Sequence, residues 1–183
     1  MKKKIIITVI FLILIIVSLN GCIEEKTIGI NKPLNTLALT SDDIGEECNV
    51  IEEIHLTEPY TVEEDLILSG WYVLEKYEIW FSFDEYDLAH TLVKLDSNKK
   101  ASELIEVVRM NFSEQFPEIP IDTMVEDVYY GKNDTIGNLS VYLFAFKIEN
   151  VVAILFGTVP TDDTLMNYAN IIENNLKEAS TEN

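Results

Sequence analysis

Side chains able to do chemistry are few and scattered in this 183-residue chain. Two cysteines, Cys22 and Cys48, and two histidines, His55 and His90, are its whole supply of thiols and imidazoles. No HExxH, His-x-His or CxxC spacing occurs, so the usual nitrogen and sulfur ligands of zinc are not gathered by the sequence. Nothing beside Cys48 and His55 would orient one as base for the other, and no GxSxG elbow or GxxxxGK phosphate loop is present. Carboxylates remain. Asp84, Glu85 and Asp87, on an expected hairpin tip, are weak calcium candidates, because calcium takes roughly six to eight oxygens and no EF-hand loop surrounds them. Glu63-Glu64-Asp65 is expected in the first turn of a helix, where acidic groups complement the dipole. Of the Asn-x-Ser/Thr sequons at Asn111, Asn133 and Asn138, the last two fall in an expected loop and are the candidate glycosylation sites.

Cys22 differs from these because of what precedes it. Lys2, Lys3 and Lys4 lead into an apolar run from Ile5 to Leu19, which ends at Leu19-Asn20-Gly21-Cys22. As a helix the run would be about 22 Å long, against a hydrocarbon core of about 30 Å, which suits a secretory h-region better than a span. The order of basic segment, apolar segment and small residue before a cysteine resembles the signal and lipobox of prokaryotic secretory lipoproteins. Leu19 and Gly21 match that pattern, and Asn20 departs from it, since the middle position is more often Ala, Ser or Thr. The resemblance covers residues 1–22. It implies cleavage between Gly21 and Cys22 and a thioether-linked lipid on the Cys22 sulfur. An uncleaved signal-anchor helix is the alternative; the lysines place the body outside the membrane in both cases.

Removing the three leader lysines leaves 10 Lys and Arg against 32 Asp and Glu, a formal net charge of −22. Such a surface repels nucleic acid and anionic headgroups, and it attracts cations or basic partners. With Cys22 committed to lipid, Cys48 has no disulfide partner; lying before an apolar stretch, it reads as a small buried hydrophobe.

The elements that must carry these residues follow from periodicity. Residues 22–36 contain Gly29 and Pro33 without apolar periodicity and read as a lipid-anchored tether. A single domain is expected over 37–178, with 179–183 a disordered tail. Within it, 41–45 reads as a capped turn, 49–57 as a strand, and Thr61 with Glu64 as the capping box of a short helix over 62–68. Alternating strands are expected at 77–83 and 88–95, joined by the 84–87 tip. Ser97 caps a helix to about Phe116 whose Ala101, Leu104, Ile105, Val108, Phe112 and Phe116 share one face. A strand near 123–130 and a loop over 131–138 follow. The hairpin 139–148/151–159 turns at Glu149-Asn150, where Asn150 tolerates positive φ. Its arms are apolar on both faces and so are covered on both. Thr161 caps a closing helix that buries Leu165, Tyr168, Ala169, Ile172 and Leu176.

This order predicts an α+β fold: an antiparallel sheet of about five or six strands with two main helices packed on it, or an α/β/α sandwich. The Gly70-Trp71, Tyr77, Phe81 string, the middle helix, the Asn150-Val151 hairpin and the closing helix together resemble a PsbP-like domain over most of 37–178. That resemblance implies a non-catalytic accessory or binding module, and it transfers no functional residue because no matching motif is present. The expected role is therefore a lipid-anchored, extracytoplasmic binding, sensing or accessory module. It requires no cofactor, touches the membrane through the lipid on Cys22, and uses a small-molecule or protein partner, with basic ones favoured by charge. A groove between sheet and helix lined by Trp71, Tyr77 and Trp80 would serve it. Two alternatives stand beside it: an exported hydrolase or metal-dependent enzyme using carboxylates and His90, and a structural component of the cell envelope.

Overall fold

The computed structural model describes residues 29–181 except 46, 64, 66, 122–126, 137 and 138. A short helix α1 (Ser41–Ile44) precedes strands β1 (Asn49–Leu56), β2 (Tyr60–Thr61), β3 (Tyr72–Val73), β4 (Glu75–Ser82) and β5 (Asp87–Lys94). Helix α2 (Asn98–Phe112), strands β6 (Val128–Ile136), β7 (Leu139–Ile148) and β8 (Val151–Thr158), and helix α3 (Asp162–Thr181) complete the chain. Six strands form one antiparallel sheet in the order β1-β4-β5-β8-β7-β6, and β2 pairs with β3 beside it. The fold is α+β.

The strand pleat explains why both faces are covered. Tyr142, Phe144 and Phe146 of β7 join Val151, Ala153 and Leu155 of β8 in the cluster under α3, with Leu165, Tyr168, Ile172 and Leu176. The alternate residues Val141, Leu143, Ala145, Val152 and Ile154 join the cluster under α2, with Ala101, Leu104, Ile105 and Val108. The two main helices thus lie on opposite faces as an α/β/α sandwich. Each long aliphatic side chain buried this way contributes about 1.5–3 kcal/mol. Ser97 caps α2 by accepting from the Lys100 amide at 3.3 Å, and Thr161 accepts from Thr164 N at 3.1 Å. Thr40 and Asp43 form a capping box on α1, which Gly45 ends at φ 68°.

The structure revises five local expectations. Within the expected tether, residues 29–36 pack on the body: Ile30 and Leu34 are fully buried, because their apolar side chains fill the α3 face of the sheet. The Ile30 amide donates to Asn150 Oδ1 (2.9 Å), Asn150 Nδ2 donates to Leu95 O (2.9 Å), and the Leu34 amide donates to Glu75 Oε1 (2.8 Å). At the other end α3 continues to Thr181 and buries Ala179, so the expected disordered tail over 179–183 begins as helix. None of the described residues of the expected 62–68 helix is helical; between β2 and β3 the Asp65 carboxylate instead accepts the amides of Ile67 (2.8 Å) and Leu68 (3.0 Å), closing a turn. Finally, β6 runs through residues expected to form the 131–138 loop, and at the hairpin turn the positive φ (53°) belongs to Glu149 while Asn150 acts as the buried clamp just described.

Candidate functional site

The β2–β3 loop builds one wall of a recess on the α2 side of the sheet. Val62 N donates to Trp71 O (2.9 Å), Gly70 N to Val62 O (2.8 Å) and Trp71 N to Leu68 O (2.9 Å), while Gly70 takes φ 83°. Lys76 of β4 ties the loop to the sheet by donating to Asp65 Oδ2 (3.0 Å) and pairing with Glu78 (2.7 Å). Burial pulls the Asp65 carboxyl upward, but the Leu68 and Ile67 amides and the Lys76 ammonium outweigh it and hold the group below the usual carboxylate range. Trp71 and Tyr72 are thereby presented toward the exposed side of α2.

Between them lies a cleft of about 780 Å³, within the range of small-molecule sites. Its apolar lining includes Trp71, Tyr72, Val107 and Met110; Tyr72 is 52% and Met110 69% exposed. Its polar lining includes Asp96, Lys99, Lys100, Glu103, Glu106 and Asp127. Lys100 Nζ stands 5.9 Å from the Trp71 ring centroid and 3.0 Å from Glu103. Asp127 accepts from Ser102 Oγ (2.6 Å) and pairs with Lys147 (3.3 Å). The Ser102 bond, with help from Lys147 and against partial burial, keeps Asp127 below the ordinary carboxylate value. The cleft is an apolar floor with charged walls, suited to hold an amphipathic group; neither histidine and neither cysteine lines it.

Of the aromatic trio expected in such a groove, only Trp71 is there. Tyr77 is buried on the α3 face, its hydroxyl donating to Glu53 Oε1 (3.0 Å), and burial and that carboxylate push its pKa up to about 12. Trp80 donates its indole N–H to Glu78 Oε1 (2.6 Å) and does not line the cleft. Sequence reasoning missed the α2 side of the site: Val107 and Met110 break the buried stripe of that helix, which was the available signal.

The other candidate residues are not brought together. His90 is fully buried in β5; the Leu39 amide donates to its Nδ1 (3.3 Å), Nε2 has no partner among the described residues, and burial depresses its pKa to about 3. Its neighbours across the sheet are Ile79 and Leu155 rather than carboxylates. His55 bonds Glu75 Oε1 (2.9 Å) and sits near the far end of β1, about 23 Å of extended chain from the half-buried Cys48 that precedes the strand. Among the described residues no three His, Cys, Asp or Glu side chains converge as a metal site, so Asp84, Glu85 and Asp87 do not form a calcium cage. Asn133 lies in strand β6 rather than a loop and donates from Nδ2 to Gln115 O (2.8 Å). Gly21, Cys22 and Asn138 lie outside the described residues. No helix among the described residues is long and apolar enough to cross a membrane.

The class this arrangement defines is an α/β/α sandwich on a fully antiparallel sheet, with a side cleft fed by a small two-stranded annex. The chain is similar in fold to the extracellular domain of PknH from Mycobacterium tuberculosis, with a TM-score of 0.56 at 12% identity, covering 78% of this chain and 94% of that one. At that identity the likeness shows the fold alone. No protein-family model and no curated protein matches the sequence.

Proposed function

We propose that the protein is a lipid-anchored, extracytoplasmic binding or sensing module that takes its ligand in the Trp71 cleft. The observation that carries the binding role is the convergence of the solvent-exposed Tyr72 and Met110 with Trp71 on one recess. The leader ending in Leu19-Asn20-Gly21-Cys22 supports the anchor and the export. The fold likeness to the extracellular domain of PknH is consistent with the same address. The alternative of a hydrolase working through His90 loses its motive, because that imidazole is enclosed among apolar strands.

Two experiments test the reading. Mass spectrometry of the membrane-extracted protein should show a chain beginning at Cys22 with added lipid mass, and Cys22→Ser should release the protein from membranes. A full-length, membrane-retained Cys22→Ser protein would overturn the anchor. For the cleft, a fragment library read by the Trp71 indole resonance should give hits that Met110→Glu abolishes; hits that all map elsewhere would overturn it.

A further inference from the structure

The two edges of the main sheet are treated differently by the chain. The β6 edge is closed by the segment after α2: Ile119 N donates to Tyr130 O (2.8 Å), Lys132 N donates to Pro117 O (3.3 Å), and Glu118 bridges Gly131. Gly131 makes that closure possible, since a Cβ there would stand 2.5 Å from Phe116 O. Among the described residues the β1 edge has no such cover. Among the described residues its backbone bonds only to β4, leaving one side of eight residues unpaired. Such edges are templates for another strand unless they are blunted.

The side chains on β1 say which strand. Val50 (45%), Ile51 (62%) and Leu56 (41%) are exposed, three of the five exposed large hydrophobic residues among those described. Between them stand Glu52 and Glu53, both exposed, and Glu47 and Glu58 flank the strand. A register shift between Val50 and Glu52 leaves Ile51 without a partner on β4, a bulge that interrupts a flat edge. An antiparallel pair of two copies centred on the strand would set glutamates against glutamates, on molecules that are already strongly anionic. Glu52 lies on one face with Ile54 and Leu56, and Glu53 on the other with Val50 and His55, so each face of an added strand meets one carboxylate among less acidic neighbours and a strand mixing cations with apolar residues suits both.

We propose that the open edge of β1 docks an extended, lysine- or arginine-bearing segment of a partner protein, which pairs as a seventh strand. The main-chain bonds supply affinity in any sequence, and Glu52 and Glu53 select for positive charge. Ile54 and Trp80, half-buried on adjacent strands, extend the apolar floor beside the added strand. The inference is independent of the cleft.

The test uses the full chain in nonionic detergent with a fluorescent octapeptide of alternating Lys and Val. Controls are an alternating Glu-Val octapeptide and a Lys-Val peptide of equal charge interrupted by two prolines. The Lys-Val peptide should bind saturably and slow amide exchange in β1, with both controls bound at least tenfold more weakly. Glu52→Lys should weaken it about twofold to fivefold, as loss of a facing charge pair does. Equal binding of the proline peptide, or protection confined to other elements, would overturn the proposal. So would sedimentation showing that two copies of the chain pair through β1.

Discussion

Lowering the pH from 7 to 5 should destabilise this protein through His90. The imidazole is fully buried, and burial lowers its pKa from 6.5 to about 3. In the unfolded chain the same group takes up a proton near its ordinary value, while in the folded chain it stays neutral across the whole interval. The unfolded state therefore binds more protons, and stability falls as pH drops below about 6.5, levelling off only near pH 3. Between pH 7 and 5 the linkage amounts to about 2 kcal/mol. The carboxyls of Asp65 and Glu75, both held below their usual range, titrate under this window. The assay is urea unfolding followed by circular dichroism at pH 7, 6 and 5, on the native protein and on His90→Leu. The variant removes the acceptor for the Leu39 amide, and it also removes the orphan Nε2, so its absolute stability decides nothing. The slope decides. All other titrating groups are shared, so the native protein should lose about 2 kcal/mol more than the variant. Parallel pH dependence in the two proteins would refute the account of His90 as a neutral core residue.

Asn150→Ala should strip partners from the buried Ile30 amide and Leu95 carbonyl, costing about 2–4 kcal/mol and lowering the melting temperature by about 5–10 °C in calorimetry. Asp65→Ala should cost about 1–2 kcal/mol and speed amide exchange at Leu68 and Trp71, with the difference from the native protein fading in acid as Asp65 itself protonates. Gly131→Ala should push the 116–120 segment off β6, costing about 1–3 kcal/mol and exposing a second open edge, read as new oligomers in sedimentation.

Much of this fold was legible in the residue pattern because the pattern is set by burial. The helix face Ala101–Leu104–Ile105–Val108–Phe112, the doubly apolar β7–β8 hairpin and the face of α3 follow from periods of 3.6 and 2. Where competing local bonds decide, the pattern misleads. Thr61 and Glu64 spell a capping box, yet Asp65 satisfies the nearby amides itself and the helix gives way to a turn. Asn150 has the residue type of a turn former, yet its amide is used 120 residues away to hold Ile30.

By itself, then, the sequence determined the charge, the α+β class and the faces of the long elements, all properties of local order or total composition. Only the tertiary structure decided that Ile30 and Leu34 belong to the core, that Trp71 shares a cleft with Met110 while Tyr77 does not, and that His90 is sealed away. It also decided that one sheet edge is closed and the other open. These depend on which distant segments meet, and the register and packing of a sheet assembled from non-consecutive strands are fixed by the sum of many contacts rather than by any short run of residues.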